Sequence, residues 1–418
     1  MPARARIVGL YCGQGMSHLI EIYVNGVVKA VADFLILIDF GGDEKYSEDA
    51  VNYVYTKLKA QSDSGRNAKF DLTIISHQDK DHLILLGPLG DKITAEGLVI
   101  QFGKVFLGGV AWDAKNKKTV NDFFGISKTR PAYNWSETQR SDYYNVKSRP
   151  KLGKLDEFGG FAFRVLISQL AIPKGSRPDF VRNASSTVVV IENGTETVIL
   201  PGDATYQTMN YVNELYKAWG GNKLIPMVRA LEVPHHGAMR SAAENYVASK
   251  TSDQLVMTIV NQFSKNLQAD IVFASAGYLN LHGHPVQEVF EVFQPHTITI
   301  DDHIYVAFVF DEKGGKKKEH YYEFNTDDAM LTTLVGLNNG PVWKNITIRL
   351  PSTGVISPVE AKYTLAELLI RDGLTPPPEM LRSRTSGRNP APQPPVVVSA
   401  PAPTPEELSS KPDEAKSE

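Results

Sequence analysis

One stretch, Leu72-Thr-Ile-Ile-Ser-His-Gln-Asp-Lys-Asp-His82, constrains the fold most strongly. Its apolar run, Leu72 to Ile75, is typical of a buried strand and stops at Ser76. Four side chains of metal-binding type follow within six residues: His77, Asp79, Asp81 and His82. Because a buried strand ending in a short loop is a rigid support, these side chains can converge on one divalent cation or on two close together. The alternative is a solvated polar turn.

Three further apolar runs end in the same residue types. Ile199-Leu200 precedes Asp203, Leu231 to Val233 precedes His235 and His236, and Ala274-Ser275 precedes His282 and His284. Six of the ten histidines lie in these motifs, which is not the pattern of scattered core or surface histidines. Ligand types at several strand ends predict one site along one edge of a sheet.

The chemistry that fits such a site is metal-dependent hydrolysis. A cation with an open position lowers the pKa of a water molecule, so that hydroxide becomes available near neutral pH. Asp203 can bridge two cations, and Asp81 can bind one cation and also orient the attacking water. We expect Asp39 to support the loop after its strand rather than to bind metal.

Hydrophobic periodicity predicts a mixed α/β architecture. Strands are predicted at 7–11, 17–24, 34–40, 72–75, 161–168, 183–191, 197–200, 230–233, 271–275, 297–300, 305–310 and 346–350, with one or two more between 97 and 109. Helices are predicted at 47–61, 207–219, 286–293 and 365–371.

Composition limits the other classes of function. The 418 residues carry a net charge of -3, which argues against tight non-specific binding of long duplex nucleic acid. Cys12 is the only cysteine, so neither an intrachain disulfide nor a thiolate zinc site is expected. Without a signal-peptide pattern or a membrane-length apolar run, we expect a soluble cytoplasmic protein with no membrane partner.

Residues 111–155 differ from their surroundings, because basic side chains alternate there with aromatic ones. Such a segment could bind single-stranded nucleic acid or nucleotides. It could equally be an insertion whose rings pack on the core, and this second interpretation is slightly favoured.

The motifs together carry a family resemblance. His77-Gln-Asp-Lys-Asp-His82, Pro201-Gly-Asp203, Val233-Pro-His-His-Gly237 and Gly283-His-Pro285 resemble the metallo-β-lactamase fold. More narrowly, they look like the hydrolase domain of the competence DNA-uptake proteins, as do Gly13-Gln-Gly15 with Ser17, Ile36 to Gly41, and Asn183 before the Gly-Asp strand. The resemblance covers roughly residues 5–310. It implies an αβ/βα sandwich of two mixed β-sheets flanked by helices, and hydrolysis, usually of a phosphodiester.

The resulting predictions cover domains and site residues. The hydrolase domain spans 1–310, a C-terminal extension 311–375, and a disordered tail 376–418, where eleven of the 25 prolines lie. The predicted metal ligands are His77, Asp79, Asp81, His82, Asp203, His235 and His284, with Asp81 also catalytic. The residues predicted to contact substrate or to support the ligands are His236, His282, Asn280, Ser241 and Asn183.

One position departs from the family pattern His-x-His-x-Asp-His, since Asp79 stands where the second histidine belongs. A carboxylate is a harder donor than imidazole and shifts the preference from Zn²⁺ toward Mn²⁺ or Mg²⁺. No histidine occurs between 83 and 202 to add a ligand. The metal site that this motif builds in the family is therefore rebuilt here with His235 or His236, or it is empty. If it is empty, a single cation lies on Asp81, His82, Asp203 and His284. The third alternative is a degenerate, non-catalytic centre.

Three functions follow. The first is a phosphodiesterase or nuclease acting on DNA, RNA or a nucleotide through one or two divalent cations. The second is hydrolysis of a lactone, thioester or amide on the same scaffold. The third is a binding or regulatory protein with a relic site, whose proline-rich tail docks a protein partner with an SH3-like groove.

Overall fold

Strands supply most of the regular structure. They are β1 (Arg4–Gly9), β2 (Ser17–Tyr23), β3 (Phe34–Phe40), β4 (Ala68–Ile75), β5 (Ile100–Leu107), β6 (Tyr133–Trp135), β7 (Gly153–Phe158), β8 (Phe161–Ile167), β9 (Val188–Glu192), β10 (Glu196–Leu200), β11 (Met227–Glu232), β12 (Ile271–Ala274), β13 (Ile304–Asp311), β14 (Lys318–Asn325), β15 (Met330–Thr332), β16 (Leu334–Leu337), β17 (Gly340–Trp343) and β18 (Ile346–Leu350). The helices are α1 (Glu48–Asp63), α2 (Leu86–Ala95), α3 (Ala114–Gly125), α4 (Pro178–Ala184), α5 (Tyr206–Ala218) and α6 (Asp253–Leu267).

These elements come from a computed structural model, which describes residues 2–28, 31–43, 47–110, 112–127, 133–135, 153–170, 176–218, 225–238, 253–275, 285, 289, 292–297, 304–311, 318–325, 330–337, 340–343 and 345–351. All of them belong to one compact unit, Met1–Ser383. The second unit, Arg384–Glu418, lies outside the described residues.

The described strands form two large sheets and one small one. The first sheet has the order β18-β1-β2-β3-β4-β5-β6, and the second has the order β15-β12-β11-β10-β9-β8-β7. Both are mixed: β3, β4, β5 and β6 pair in parallel, as do β10, β11, β12 and β15, while the other neighbours are antiparallel. The small sheet, β14-β13-β16-β17, is antiparallel.

Three apolar clusters define the layers. One contains Ile36 and Leu72 of the first sheet together with Val189 and Ala230 of the second, so the two large sheets pack face to face. A second cluster joins α1, α2 and α3 to the outer face of the first sheet. The third joins α4, α5 and α6 to the outer face of the second sheet. The predicted arrangement of two mixed sheets flanked by helices is confirmed.

Helix α1 shows why periodicity located many elements correctly. Its buried residues include Val51, Val54, Tyr55 and Leu58, which recur at helical spacing and pack on the first sheet. The predicted helix at 47–61 is confirmed, as are the strands at 34–40, 305–310 and 346–350 and the helix at 207–219. Strand β18 pairs with β1, so the predicted C-terminal extension contributes a strand to the first sheet.

One predicted strand is wrong at its start. Residues 183–191 were expected to be a single strand, but α4 ends at Ala184 and β9 begins only at Val188. Pro178 occupies the first turn of α4, where its fixed φ favours a helix. The segment between the two elements then crosses to the first sheet, where the Thr187 amide donates to the Ser76 carbonyl (3.0 Å).

The first part of the basic and aromatic segment packs its rings on the core of the first sheet. Trp112, Phe123 and Phe124 are buried in the outer core of the first sheet, and the Asp113 side chain caps α3 by accepting from the Asn116 amide (2.7 Å). In the described residues 112–127 these three rings pack on the core, and the nature of the whole segment stays a prediction. Residues 128–132 and 136–152 lie outside the described residues.

Several other predictions fall outside the described residues: most of the helix at 286–293, the end of the strand at 297–300, the helix at 365–371, and the tail. Of the helices in the described part of the chain, none combines the length and apolar character that a bilayer crossing requires.

Candidate metal centre

Four strand ends bring the predicted site together. Strands β3 and β4 are parallel neighbours in one sheet, and β10 and β11 are parallel neighbours in the other, so each pair ends at a common edge. Asp39 lies at the end of β3, residues 77–82 follow β4, Asp203 follows β10, and His235 and His236 follow β11. Because the sheets face each other, these four loops meet at one end of the sandwich.

Asp203 lies at the middle of this cluster, and its two carboxylate oxygens face different partners. Oδ1 lies 3.0 Å from His82 Nε2 and 3.7 Å from His236 Nε2. Oδ2 lies 3.2 Å from His235 Nε2 and 3.6 Å from His77 Nε2. A buried carboxylate with imidazoles on both sides has the arrangement needed to bridge two cations.

The group around Oδ1 is called the Asp81 side and consists of Asp81, His82, His236 and Asp203. One ligand-type atom from each of the four residues can be chosen so that all lie within 4.8 Å of one another. Asp81 Oδ2 lies 3.5 Å from His236 Nε2, and Asp81 is the one member that is partly exposed. Two imidazoles and two carboxylates at this spacing fit a divalent cation, with an approach from solvent beside Asp81.

The group around Oδ2 is called the Asp79 side and consists of His77, Asp79, His235 and Asp203. Asp79 Oδ2 lies 3.8 Å from His77 Nε2. Among the described residues, the buried Nε2 atom of His77 has no hydrogen-bond partner. A nitrogen buried in this way beside two carboxylates also fits a cation, because metal coordination would satisfy it.

Asp39 supports the loop that carries the ligand-type residues. Its carboxylate accepts hydrogen bonds from the Ser76 amide (2.6 Å) and the Ser76 hydroxyl (2.7 Å). It also lies 2.9 Å from His82 Nδ1, which directs His82 Nε2 toward Asp203. The expected supporting role of Asp39 is confirmed by these contacts.

Two consecutive histidines adopt an uncommon backbone conformation. His235 has φ 49° and ψ 52°, and His236 has φ 53° and ψ 17°, both in the left-handed region. Such conformations cost about 1–3 kcal/mol each and persist where surrounding structure imposes them. Here the His235 amide donates to the Gly202 carbonyl (3.0 Å), and the two Nε2 atoms face opposite oxygens of Asp203.

Glycine is required at two points of close approach. A Cβ on Gly41 would lie 2.1 Å from the Asp81 carbonyl carbon, so any side chain there would displace the loop. Gly202 has φ +54°, and a Cβ on it would lie 2.4 Å from Ser186 Oγ. These glycines let the backbone beside Asp81 and Asp203 pack against neighbouring strands.

The electrostatics differ between the histidines. Burial alone would lower the pKa of His82, but the carboxylates of Asp203 and Asp39 outweigh it and raise that pKa well above its usual value. Burial lowers the pKa of His77, and the nearby His82 lowers it further. Burial also lowers the pKa of His235 to about 4, despite the opposing effect of Asp203. His77 and His235 are therefore neutral at pH 7, as ligands must be.

The two central carboxylates stay ionised. Burial would raise the pKa of Asp203, but His235 and His82 hold it well below its usual range. Burial would likewise raise the pKa of Asp81, and the adjacent imidazole of His236 together with the charge of His82 lowers it instead.

The structure brings together six of the seven predicted metal ligands: His77, Asp79, Asp81, His82, Asp203 and His235. His236, predicted to contact substrate or to support ligands, lies in the same cluster. Asn183 lies beside it, whereas Ser241, Asn280, His282 and His284 lie outside the described residues. Whether each residue binds metal or substrate stays a prediction.

Arg182 is the residue that the sequence did not single out. Its Nε donates to Asp79 Oδ1 at 2.5 Å. A lone arginine on a short helix, 103 positions away from its partner, gives no local signal of this contact.

Comparisons with known proteins give structural similarity at low identity. No family model and no curated protein matches the chain. The fold is similar to the metallo-β-lactamase fold protein YhfI from Bacillus subtilis, at 12% identity and a TM-score of 0.37, covering 78% of this chain and 100% of that one. It is also similar to an isothiocyanate hydrolase from Delia radicum gut bacteria, at 11% identity and a TM-score of 0.37, covering 78% and 95% of the two chains.

A long form RNase Z from yeast is similar at 12% identity and a TM-score of 0.32, covering 68% of this chain and 39% of that one. Similarity at this level does not assign an activity, and the likeness to the competence proteins stays a prediction. The chain itself has two mixed β-sheets flanked by helices, with a candidate His/Asp metal centre at their edge.

Proposed function

We propose that the chain is a metal-dependent hydrolase that cleaves phosphodiester bonds in nucleic acids or nucleotides. The observation that carries the proposal is Asp203, whose two oxygens face ligand-type side chains on opposite sides. A structural ion pair would need one partner, whereas this carboxylate lies within 4 Å of four imidazoles.

Charge supports two divalent cations rather than one. Four carboxylates meet in the centre, those of Asp39, Asp79, Asp81 and Asp203. Two divalent cations would balance their formal charge, and a single one would leave an excess that repels an anionic substrate. We infer that the Asp79 side and the Asp81 side each hold one cation, with Asp203 shared. The imidazoles suit Zn²⁺, and the hard carboxylate oxygens favour Mn²⁺ or Mg²⁺.

When bound, the cations would lower the pKa of a water molecule and polarise the scissile phosphoryl group. The protein's own residues fix the geometry. Asp39 and Ser76 hold the loop and the tautomer of His82, and the partly exposed Asp81 carboxylate orients the attacking water. The water oxygen forms the new bond to phosphorus while the bond from phosphorus to the leaving oxygen breaks, and the proton that the water loses ends on the leaving alcohol.

The test is hydrolysis of bis-p-nitrophenyl phosphate by metal-stripped full-length protein, with Zn²⁺, Mn²⁺ or Mg²⁺ restored singly. We expect turnover to return with at least one cation and to be lost in Asp203→Ala. Asp63→Ala is the matched control, because Asp63 is an exposed carboxylate that pairs only with Lys59 among the described residues. DNA, RNA and cyclic nucleotides would then be compared.

Two other results would reject the proposal. Turnover of a lactone, thioester or amide, without phosphodiester cleavage, would assign a different scissile bond to the same centre. Absence of metal binding and of turnover would support the non-catalytic alternative, in which a partner protein binds the proline-rich tail.

A further inference from the structure

We propose that Arg182 is the residue that binds the anionic group of the substrate, and that Asp79 positions it. This inference rests on the proposed function and deepens it, because it assigns the substrate's negative charge to a defined protein group. The ligand it requires is a tetrahedral oxyanion such as a phosphodiester.

The contacts of Asp79 tie Arg182 to the metal centre. Arg182 Nε donates to Asp79 Oδ1 at 2.5 Å, while Asp79 Oδ2 lies 3.8 Å from His77 Nε2. The carboxylate thus has one oxygen toward the centre and the other toward the guanidinium. The Asp79 carboxylate therefore lies between Arg182 and His77.

The next residue on α4 fixes this arrangement. With the Asn183 amide assigned so that its nitrogen faces the neighbouring oxygens, it donates to Asp79 Oδ2 and to the Asp179 carbonyl, at 3.1 Å each. In that orientation its oxygen faces His235 Nδ1 at 3.4 Å, which leaves His235 Nε2 directed at Asp203. Helix α4 therefore delivers Arg182 and Asn183 to the Asp79 side as neighbouring parts of one rigid turn.

Arg182 also has donors left to offer. Its side chain is 35% exposed and that of Asp79 is 22% exposed, in a centre whose histidines are mostly buried. Among the described residues, the guanidinium's only hydrogen bond is the one from Nε, so both Nη groups can donate to a ligand. The planar fork of Nη donors matches the spacing of two phosphate oxygens.

A neighbouring arginine shows what an ordinary surface pair looks like here. Arg177, at the start of the same helix, is 60% exposed and pairs with Asp179, two residues away. Such local exposed pairs contribute little. Arg182 instead pairs with a residue 103 positions away that also faces His77. The contrast points to a role at the centre rather than in solvation.

The charge of the site is completed by this side chain. If two divalent cations balance the four carboxylates, Arg182 leaves one positive charge at the exposed margin of the Asp79 side. A phosphodiester carries one negative charge, so the site and the substrate would be complementary. Neutral esters and lactones would gain nothing from this group.

The experiment measures binding of inorganic phosphate to full-length, metal-loaded protein by calorimetry, with metal content determined in the same samples. Arg182→Met keeps much of the side-chain volume and removes the charge, Arg182→Lys restores the charge without the fork, and Arg177→Met is the matched control. We expect the Kd for phosphate to rise about 10- to 100-fold in R182M, the effect of losing a charge-assisted hydrogen bond. R182K should recover part of the affinity, and R177M should equal the wild type.

Two results would overturn the inference: an unchanged phosphate Kd in R182M with full metal content, or a loss of affinity that merely follows a loss of metal. The second would make Arg182 a support for Asp79 alone. Thermal melting of each variant identifies misfolding. If R182M does not fold, the phosphate Kd of R182K is compared with that of the wild type instead. Phosphate binding that depends on Arg182, without diester hydrolysis, would reject the proposed function but not the role of Arg182 in anion binding. Diester hydrolysis together with a phosphate Kd that is unchanged in R182M would support the proposed function and reject the role of Arg182.

Discussion

The Asp81 side and the Asp79 side of the centre share Asp203 but differ in how their second carboxylate is used. Asp81 faces His236 at 3.5 Å, and its group of ligand atoms is tightly clustered. Asp79 is divided between the centre and Arg182. Under the proposed function, the Asp81 side would hold a cation and orient water, and the Asp79 side would combine a cation with recognition of an anion.

The largest effect is expected where the two sides meet. Asp203→Asn should abolish binding of both cations and lower kcat/KM by about 10³-fold or more, since metal catalysis supplies several kcal/mol of transition-state stabilisation. Metal analysis of the purified variant beside the turnover assay checks this. Retention of both cations would show that Asp203 does not bridge them.

The next effect separates the sides. Asp81→Asn should reduce kcat by about 10²- to 10⁴-fold, because it removes a ligand and the group that orients the water. Asp79→Asn should cost only about 10- to 100-fold and mainly raise KM, because it releases Arg182 and weakens one cation. Steady-state kinetics of the two matched variants measure kcat and KM for each. Equal losses of kcat in the two variants would contradict the proposed difference between the Asp81 side and the Asp79 side.

A smaller effect is expected one contact farther out, on the Asp81 side. Asp39→Asn should weaken metal affinity about 10- to 100-fold, because His82 loses the partner that orients its ring. Asp33→Asn is the control, since Asp33 lies just before β3 at its opposite end and accepts from the Val24 amide. Competition with a chelator gives both affinities, and an unchanged value in Asp39→Asn would contradict the supporting role.

The smallest predicted effect is a pH dependence that differs between the sides. The raised pKa of His82 means that the metal-free protein keeps a proton there at pH 7, and a cation must displace it. Affinity on the Asp81 side should therefore rise up to tenfold per pH unit until the pH passes that pKa. His77 and His235, whose pKa values are lowered, release no proton near pH 7, so the Asp79 side should be nearly independent of pH.

Calorimetry in buffers of different ionisation enthalpy counts the protons released. We expect about one proton, from His82, to be released when both cations bind. No release at all, or a release that survives Asp39→Asn unchanged, would count against this assignment.

The elements that sequence located correctly are those whose periodicity matches their burial. The apolar run of β3 and the spaced apolar face of α1 reported their environment directly. Ligand-type residues after β4, β10 and β11 could be found because strand ends in parallel sheets share an edge. The sequence thus predicted the fold class and most of the candidate centre.

Sequence could not locate what depends on tertiary contacts. Asn183 and Ala184 read as the start of an apolar strand, yet a proline-initiated helix places Asn183 beside Asp79. The left-handed backbone at His235 and His236 accompanies a tertiary hydrogen bond from the His235 amide to the Gly202 carbonyl, and no local sequence pattern predicts two such residues in a row. Arg182 lies on α4, before β9 of the second sheet, whereas Asp79 follows β4 of the first sheet. No local sequence pattern predicts a contact between residues so far apart in the chain.

The most direct test of the two-sided centre is anomalous X-ray diffraction from crystals of the full-length protein loaded with Mn²⁺, recorded above and below the metal edge. We predict two anomalous peaks about 3.5–4 Å apart, one on each side of Asp203. A single peak, or none within bonding distance of the Asp203 carboxylate, would contradict the proposal that this residue joins two cations.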